Sequence, residues 1–189
     1  MRTRRLVAAA VSAAALMSSV LLAPAAQADD HGAPAPEGGA TTVVLNPTLV
    51  PVLVNALKVR AIAPGELSAP AGVAQVAFPI TDVEDGVIEH SGGLEFTPLG
   101  GGDLRLTRFD INLSTGLLDA KGVLNGNRLP GRVDLFALGA VRPINGHIPA
   151  CAGTAAGLTL TSTAAQALGA PAFAGAFIGD ACVVPGQDD

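Results

Sequence analysis

Residues 104–138 read LRLTRFDINLSTGLLDAKGVLNGNRLPGRVDLFAL, and the fold class follows from how the apolar side chains fall along them. Leu104 and Leu106 are two apart, and Phe109, Ile111 and Leu113 are two apart again, but the second set is out of phase with the first. A spacing of two puts side chains on one face of a strand. The change of phase near Arg108 predicts a bulge or bend there, because one extra residue turns every later side chain to the opposite face. Leu117 to Val123 and Arg132 to Leu138 read as two further strands. Leu124-Asn125-Gly126-Asn127 between them is a hairpin signal, since Asn-Gly accepts the left-handed backbone that tight hairpin turns need.

The same reading extends in both directions. Upstream, Val73 to Ile80 is apolar and is expected to end at Pro79, which cannot donate to a ladder. Gly86 to His90 and Leu94 to Thr97 are short strands split by Ser91-Gly92-Gly93. Thr41 to Leu45 is a β-branched strand, followed by Leu49, Leu53, Ala56 and Leu57 at helical spacing. Thr48 is the expected N-cap of that helix, which places Pro51 in the first turn, where its missing N–H does no harm. Downstream, Leu158 to Leu168 repeats the order of strand, polar cap and apolar helix, with Thr161 as N-cap and Gly169 as stop. This echo of Thr41 to Leu57 raises a structural duplication as one reading. Asp180 to Val184 is the last strand. The expected class is mainly β, an antiparallel sandwich or barrel with two short helices.

Residues 1–28 have the form of a secretory signal peptide. Arg2, Arg4 and Arg5 are followed by an uncharged Leu6 to Leu22 run and by Ala26-Gln27-Ala28, a small-x-small cleavage site. Residues 29–40, DDHGAPAPEGGA, are expected to form a disordered leader, and residues 41–189 a single β-rich domain. No second hydrophobic span follows, so the mature chain is expected to be secreted without an integral membrane segment. Residues beyond 28 carry eight Lys and Arg against all sixteen carboxylates, a net charge of −8. An acidic chain without a basic stripe is a poor candidate for nucleic acid or anionic lipid surfaces. Cys151 and Cys182 are the only cysteines, and in an oxidising compartment an even count reads as a disulfide.

Catalytic constellations are sparse. Beyond the leader only His90 and His147 are imidazoles. Ser91 beside His90 points to the opposite face of a strand, and no Gly-x-Ser-x-Gly elbow is present. Neither histidine sits in a zinc-binding spacing, and His147 in Asn145-Gly146-His147 reads as a turn residue. Asp29, Asp30 and His31 make a weak metal candidate at the new amino terminus. Asp82, Glu84 and Asp85 make another, as a hard-oxygen loop ahead of Gly86. The chain has no Trp and no Tyr, which argues against sugar stacking, and its six Phe (78, 96, 109, 136, 173 and 177) are expected in the core.

One stretch carries a resemblance. Gly86-Val87-Ile88-Glu89-His90-Ser91-Gly92-Gly93-Leu94-Glu95-Phe96, then Leu104 to Ile111, then Gly116-Leu117-Leu118-Asp119-Ala120, resembles the core of the HtaA-type domain of exported and surface proteins of Gram-positive bacteria. The stretch from Phe78-Pro79-Ile80 to Glu89-His90-Ser91-Gly92-Gly93-Leu94 is also similar to a group of uncharacterised exported bacterial proteins. The HtaA resemblance implies haem capture, with His90 matching the family's motif histidine as an axial ligand. The family's haem site depends on a tyrosine, and this chain has none. His90 has a second reading, as a residue that orders the Gly-Gly turn through hydrogen bonds. The leading functional expectation is an exported, non-enzymatic domain without a cofactor. Its role is structural or interactive and its partner stands outside the cell. The alternative is an HtaA-type module for haem or another apolar ligand.

Overall fold

The computed structural model describes residues 39–143, 151 and 153–184. In chain order the strands are β1 (Ala40–Leu45), β2 (Arg60–Ile62), β3 (Glu66–Ser68), β4 (Gln75–Glu84), β5 (Val87–His90), β6 (Gly93–Phe96), β7 (Leu104–Asn112), β8 (Leu117–Leu124), β9 (Asn127–Pro143), β10 (Thr154–Leu160) and β11 (Phe177–Val184). Eight of them close into an antiparallel barrel in the order β7-β5-β4-β1-β11-β10-β9-β8, with β8 pairing back onto β7. β6 continues the line of β5 along β7, β2 pairs with β6, and β3 pairs with β4. An eight-stranded barrel has an interior that side chains can fill or that can hold one small ligand. Here Val43, Phe78, Phe109, Ile111, Leu118 and Leu158 are among those that fill it, and the Phe78 and Phe109 rings meet at 4.6 Å between centroids.

The phase change at Arg108 is a bulge. Thr107 faces Lys121 and Asp110 faces Asp119, so Arg108 and Phe109 together stand opposite Ala120. Arg108 takes φ +54° and stays exposed, while Phe109 turns inward and is 3% exposed. The hairpin between β8 and β9 turns on Asn125 and Gly126, both at positive φ, as the Asn-Gly pair predicts. β9 begins at Asn127 rather than Arg132, because Leu129, Pro130 and Gly131 are absorbed as a bulge opposite Gly122. β4 likewise runs through Pro79 to Glu84 instead of stopping. Pro79 lies just past the end of β5, where only its carbonyl is used, accepting from the Ser91 N–H at 3.1 Å. The acidic loop expected at residues 82–85 is therefore the end of β4, closed by a two-residue turn of Asp85 and Gly86 at positive φ.

Both expected helices are present and plug the same end of the barrel. Thr161 caps α1 (Ser162–Ala167) by accepting from the Ala164 N–H at 3.1 Å, and Gly169 ends it at φ +65°. The first helix is a π-helix, Val52–Ala56, whose Leu57 N–H reaches back to the Val52 carbonyl. The expected Thr48 cap is not made: Pro51 precedes the helix and no side chain caps it. Thr48 instead donates through its N–H and its hydroxyl to Asn46 Oδ1, at 3.1 and 2.8 Å, in the turn that leads to the helix. Leu49, Leu53, Leu57 and Leu168 pack against the core at this end. The two strand–helix units flank β11, since β1 and β10 both run antiparallel to it. Of the six Phe, Phe177 is not core. It is 41% exposed and lies over Gly157, whose missing side chain leaves room for the ring.

The cysteines form the Cys151–Cys182 disulfide, with Cα atoms 5.7 Å apart and both residues buried. Strand pairing starts at Ala40, and Gly39 is already buried, so these two positions belong to the domain rather than to the leader. The expected signal peptide and leader, up to residue 38, and the expected turn residue His147 lie outside the described residues. Two measurements check this fold. Gly92 has φ +87°, and a Cβ there would meet the Gly65 backbone at 2.5 Å, whereas Gly126 has φ +80° with open space around it. Gly92→Ala should cost about 3 kcal/mol or more in urea unfolding and Gly126→Ala about 1, since only the first adds a backbone clash to the conformational strain. Removing the disulfide in a Cys151→Ser/Cys182→Ser variant closes off a separation of 31 residues no longer, and should cost about 3–4 kcal/mol by chain entropy.

Candidate functional site

His90 ends β5 and is 4% exposed inside the barrel. Its Nδ1 lies 2.9 Å from the Phe109 carbonyl on β7 and its Nε2 lies 2.7 Å from Thr41 Oγ1 on β1. A carbonyl can only accept, so Nδ1 carries the proton and Nε2 accepts from the Thr41 hydroxyl. Burial lowers the imidazole below its ordinary value of 6.5, against the opposing pull of the backbone carbonyl of Phe109. The bulge is what aims that carbonyl. Both ring nitrogens are engaged, and Thr41 is itself only 2% exposed. His90 thus fastens three strands, and its hydrogen bonds run to β1 and β7 rather than to the Gly92-Gly93 turn that it was expected to order.

The two ends of the barrel differ. The interior keeps two residual spaces of about 60 Å³ each. The end opposite the helices opens into a mouth of about 470 Å³, lined by residues including Thr41, Ile88, Leu113, Val141, Ala155 and Val183. Leu113, Val141 and Val183 are 59%, 70% and 48% exposed there, so apolar surface faces solvent. Thr41 forms part of its floor, which puts the buried hydroxyl–imidazole pair directly beneath it.

On the outer face, charge runs in rows across neighbouring strands. Glu89, Asp110, Asp119 and Asp134 stand opposite one another across β5, β7, β8 and β9. Like charges directly opposed destabilise a sheet. Arg132 answers two of them, with Nη2 2.7 Å from Asp110 Oδ2 and Nε on Asp119 Oδ1, and it donates to the Arg108 carbonyl at 2.5 Å. Burial pushes the Asp110 carboxyl above the usual carboxylate range; Arg132 pulls it back, and Asp119 and Glu89 push it up again. Asp82 and Glu84 lie on β4 and Asp85 in the adjoining turn, and among the described residues no group of three or more His, Cys, Asp or Glu is placed to hold a metal ion. Sequence reasoning missed Arg132, whose partners are 13 and 22 positions away in the chain and adjacent only across the sheet.

No family model and no curated protein matches the chain. Among solved structures, the crystal structure of the haem-binding protein HtaB from Corynebacterium glutamicum is similar, at 14% identity and a TM-score of 0.51, over 77% of this chain and 90% of that one. What is shared is the fold. The likeness supports a distant Hta-like fold and does not bear on the His90-Ser91-Gly92-Gly93 motif. Among the described residues, no helix is long and apolar enough to cross a membrane.

The tautomer argument gives a pH test. His90 is neutral in the fold and titrates at 6.5 when exposed, so its contribution to stability is complete above about pH 6.5 and is lost as pH falls toward its lower folded value. The stability difference between the native chain and His90→Gln, read from urea midpoints, should shrink as pH is taken from about 7.5 to about 5. A difference that stays constant would mean that the imidazole is not held neutral.

Proposed function

We propose that this chain is an exported, non-enzymatic binding domain whose ligand face is the open mouth of the barrel. The observation that carries this reading is the contrast between the ends. One is plugged by two helices, and the other presents exposed Leu113, Val141 and Val183 around a cavity of about 470 Å³, within the size range of small-molecule sites. The one histidine among the described residues is consumed in holding strands together, and the hydroxyl it meets, at the floor of the mouth, is buried and committed to it. The signal-like amino terminus and the disulfide support a place outside the cell.

A second reading, haem as the ligand, is favoured by the likeness to HtaB. The residues present fit it poorly. Among the described residues the mouth lining holds no His, Tyr or Met, the Cys182 sulfur in it is disulfide-bonded, and the chain has no tyrosine at all. His90 would have to give up both hydrogen bonds to reach an iron. The interior spaces, at about 60 Å³ each, are far too small for a porphyrin. The described lining residues offer a porphyrin apolar surface without a group to ligate its metal.

Titration with the neutral apolar dye Nile red tests the mouth directly. The native chain should bind it, and Leu113→Asp/Val141→Asp should bind at least about tenfold more weakly, equivalent to about 1.4 kcal/mol, while unfolding at the same temperature, because both positions are exposed. Equal binding by the two chains would sink the assignment. A parallel haemin titration separates the readings: a Soret shift that needs Leu113 and Val141 intact, and survives His90→Ala, supports haem at the mouth, and a flat titration removes it.

A further inference from the structure

Four of the eight cations beyond residue 28 meet on one groove, although nothing in the linear sequence forms a basic stripe. Arg108, Lys121, Arg128 and Arg132 line a cavity of about 630 Å³ on the outer face of β7, β8 and β9, and no carboxylate is among its described lining residues. Two bulges assemble it. The one at Arg108 adds an extra outward residue next to Thr107, which faces Lys121. The one at Leu129 to Gly131 brings Arg132 directly opposite Lys121 and leaves Arg128 opposite Val123, two residues further along the same face as Lys121. Leu129 tucks against Gly122, so the bulge is anchored rather than loose.

This arrangement opposes like charges across neighbouring strands, which by itself is unfavourable. Arg132 is neutralised by Asp110 and Asp119. Arg108, Lys121 and Arg128 are exposed, and no ion pair with a described carboxylate satisfies them. Guanidinium forks and an ammonium converging on one cleft match oxyanions, which accept several charge-assisted hydrogen bonds at once. No aromatic ring lines the groove, so recognition there works through charge and not through stacking.

We infer that this groove is a binding site for a phosphate-bearing ligand, held by Arg108, Lys121 and Arg128. The site is separate from the barrel mouth and shares no lining residue with it. The net charge of −8 beyond residue 28 repels polyanions from the rest of the surface, so binding of one reports on a local site.

Calorimetric titration with long-chain inorganic polyphosphate and with pyrophosphate, at low ionic strength, provides the test. Polyphosphate should bind the native chain and the Arg60→Gln control, which removes an exposed cation outside the groove. It should bind Arg108→Gln/Lys121→Gln/Arg128→Gln at least about tenfold more weakly, with each single variant showing part of that loss, and binding to the native chain should weaken as salt is raised. The triple variant should unfold at a temperature no lower than the native chain, since Arg132 and its partners are kept. Pyrophosphate binding in the same way assigns a subsite for a small phosphate group, and binding of polyphosphate alone assigns a groove that follows a chain; both uphold the inference. No polyphosphate binding by the native chain, an unaltered affinity in the triple variant, or an equal loss in Arg60→Gln would overturn it.

Discussion

A single extra residue in β7 organises much of this molecule. With Arg108 and Phe109 opposite Ala120 alone, the strand changes phase, and the Phe109 ring enters the barrel against Phe78. The same irregularity presents the Phe109 carbonyl to His90 and the Arg108 carbonyl to Arg132. Arg108 itself adopts a left-handed backbone, a strained state for a residue with a side chain, at a cost of about 1–2 kcal/mol. That strain is held by its surroundings: Gly92 supplies a carbonyl for the Arg108 N–H, and β8 pairs on both sides of the bulge. The barrel seam, the buried histidine and the charged outer face therefore share one local cause.

Closure of the sheet then decides where chemistry can occur. An eight-stranded barrel is either filled by its inward side chains or holds one small ligand, and this one is filled, with two residual spaces of about 60 Å³ each. Recognition is displaced to the ends and the outer wall. The helices that follow β1 and β10 fill one end with leucines. The opposite mouth keeps exposed apolar side chains around Thr41, whose hydroxyl is already committed to His90. A neutral, buried imidazole between two partners is a fastening, and it is most secure at the neutral pH at which it carries no charge.

Much of the strand pattern was readable from the residues. The phase shift at Arg108, the Asn125-Gly126 turn, the Thr161 cap and the Gly169 stop are local features set by side-chain alternation and backbone preference, so each could be located without knowing a neighbour. The errors were also local rules overruled by context. Pro79 does not end its strand because it falls where its partner strand has just run out. Thr48 does not cap the first helix because its N–H and hydroxyl are both taken by the Asn46 amide oxygen in the turn before it. Phe177 lies outside the core because Gly157 opens a place for it on the surface.

By itself the sequence determined the class of structure, the places where the chain turns, and the pairing of its only two cysteines. Alternation with a period of two states which side chains face inward, but it carries no information about which strand lies alongside. Only the tertiary structure decided that His90 meets Thr41 across 49 positions, that Arg132 sits between Asp110 and Asp119, and that four scattered cations share a groove in an acidic protein. Those contacts depend on register between strands distant in sequence, and register is set by the closed sheet as a whole.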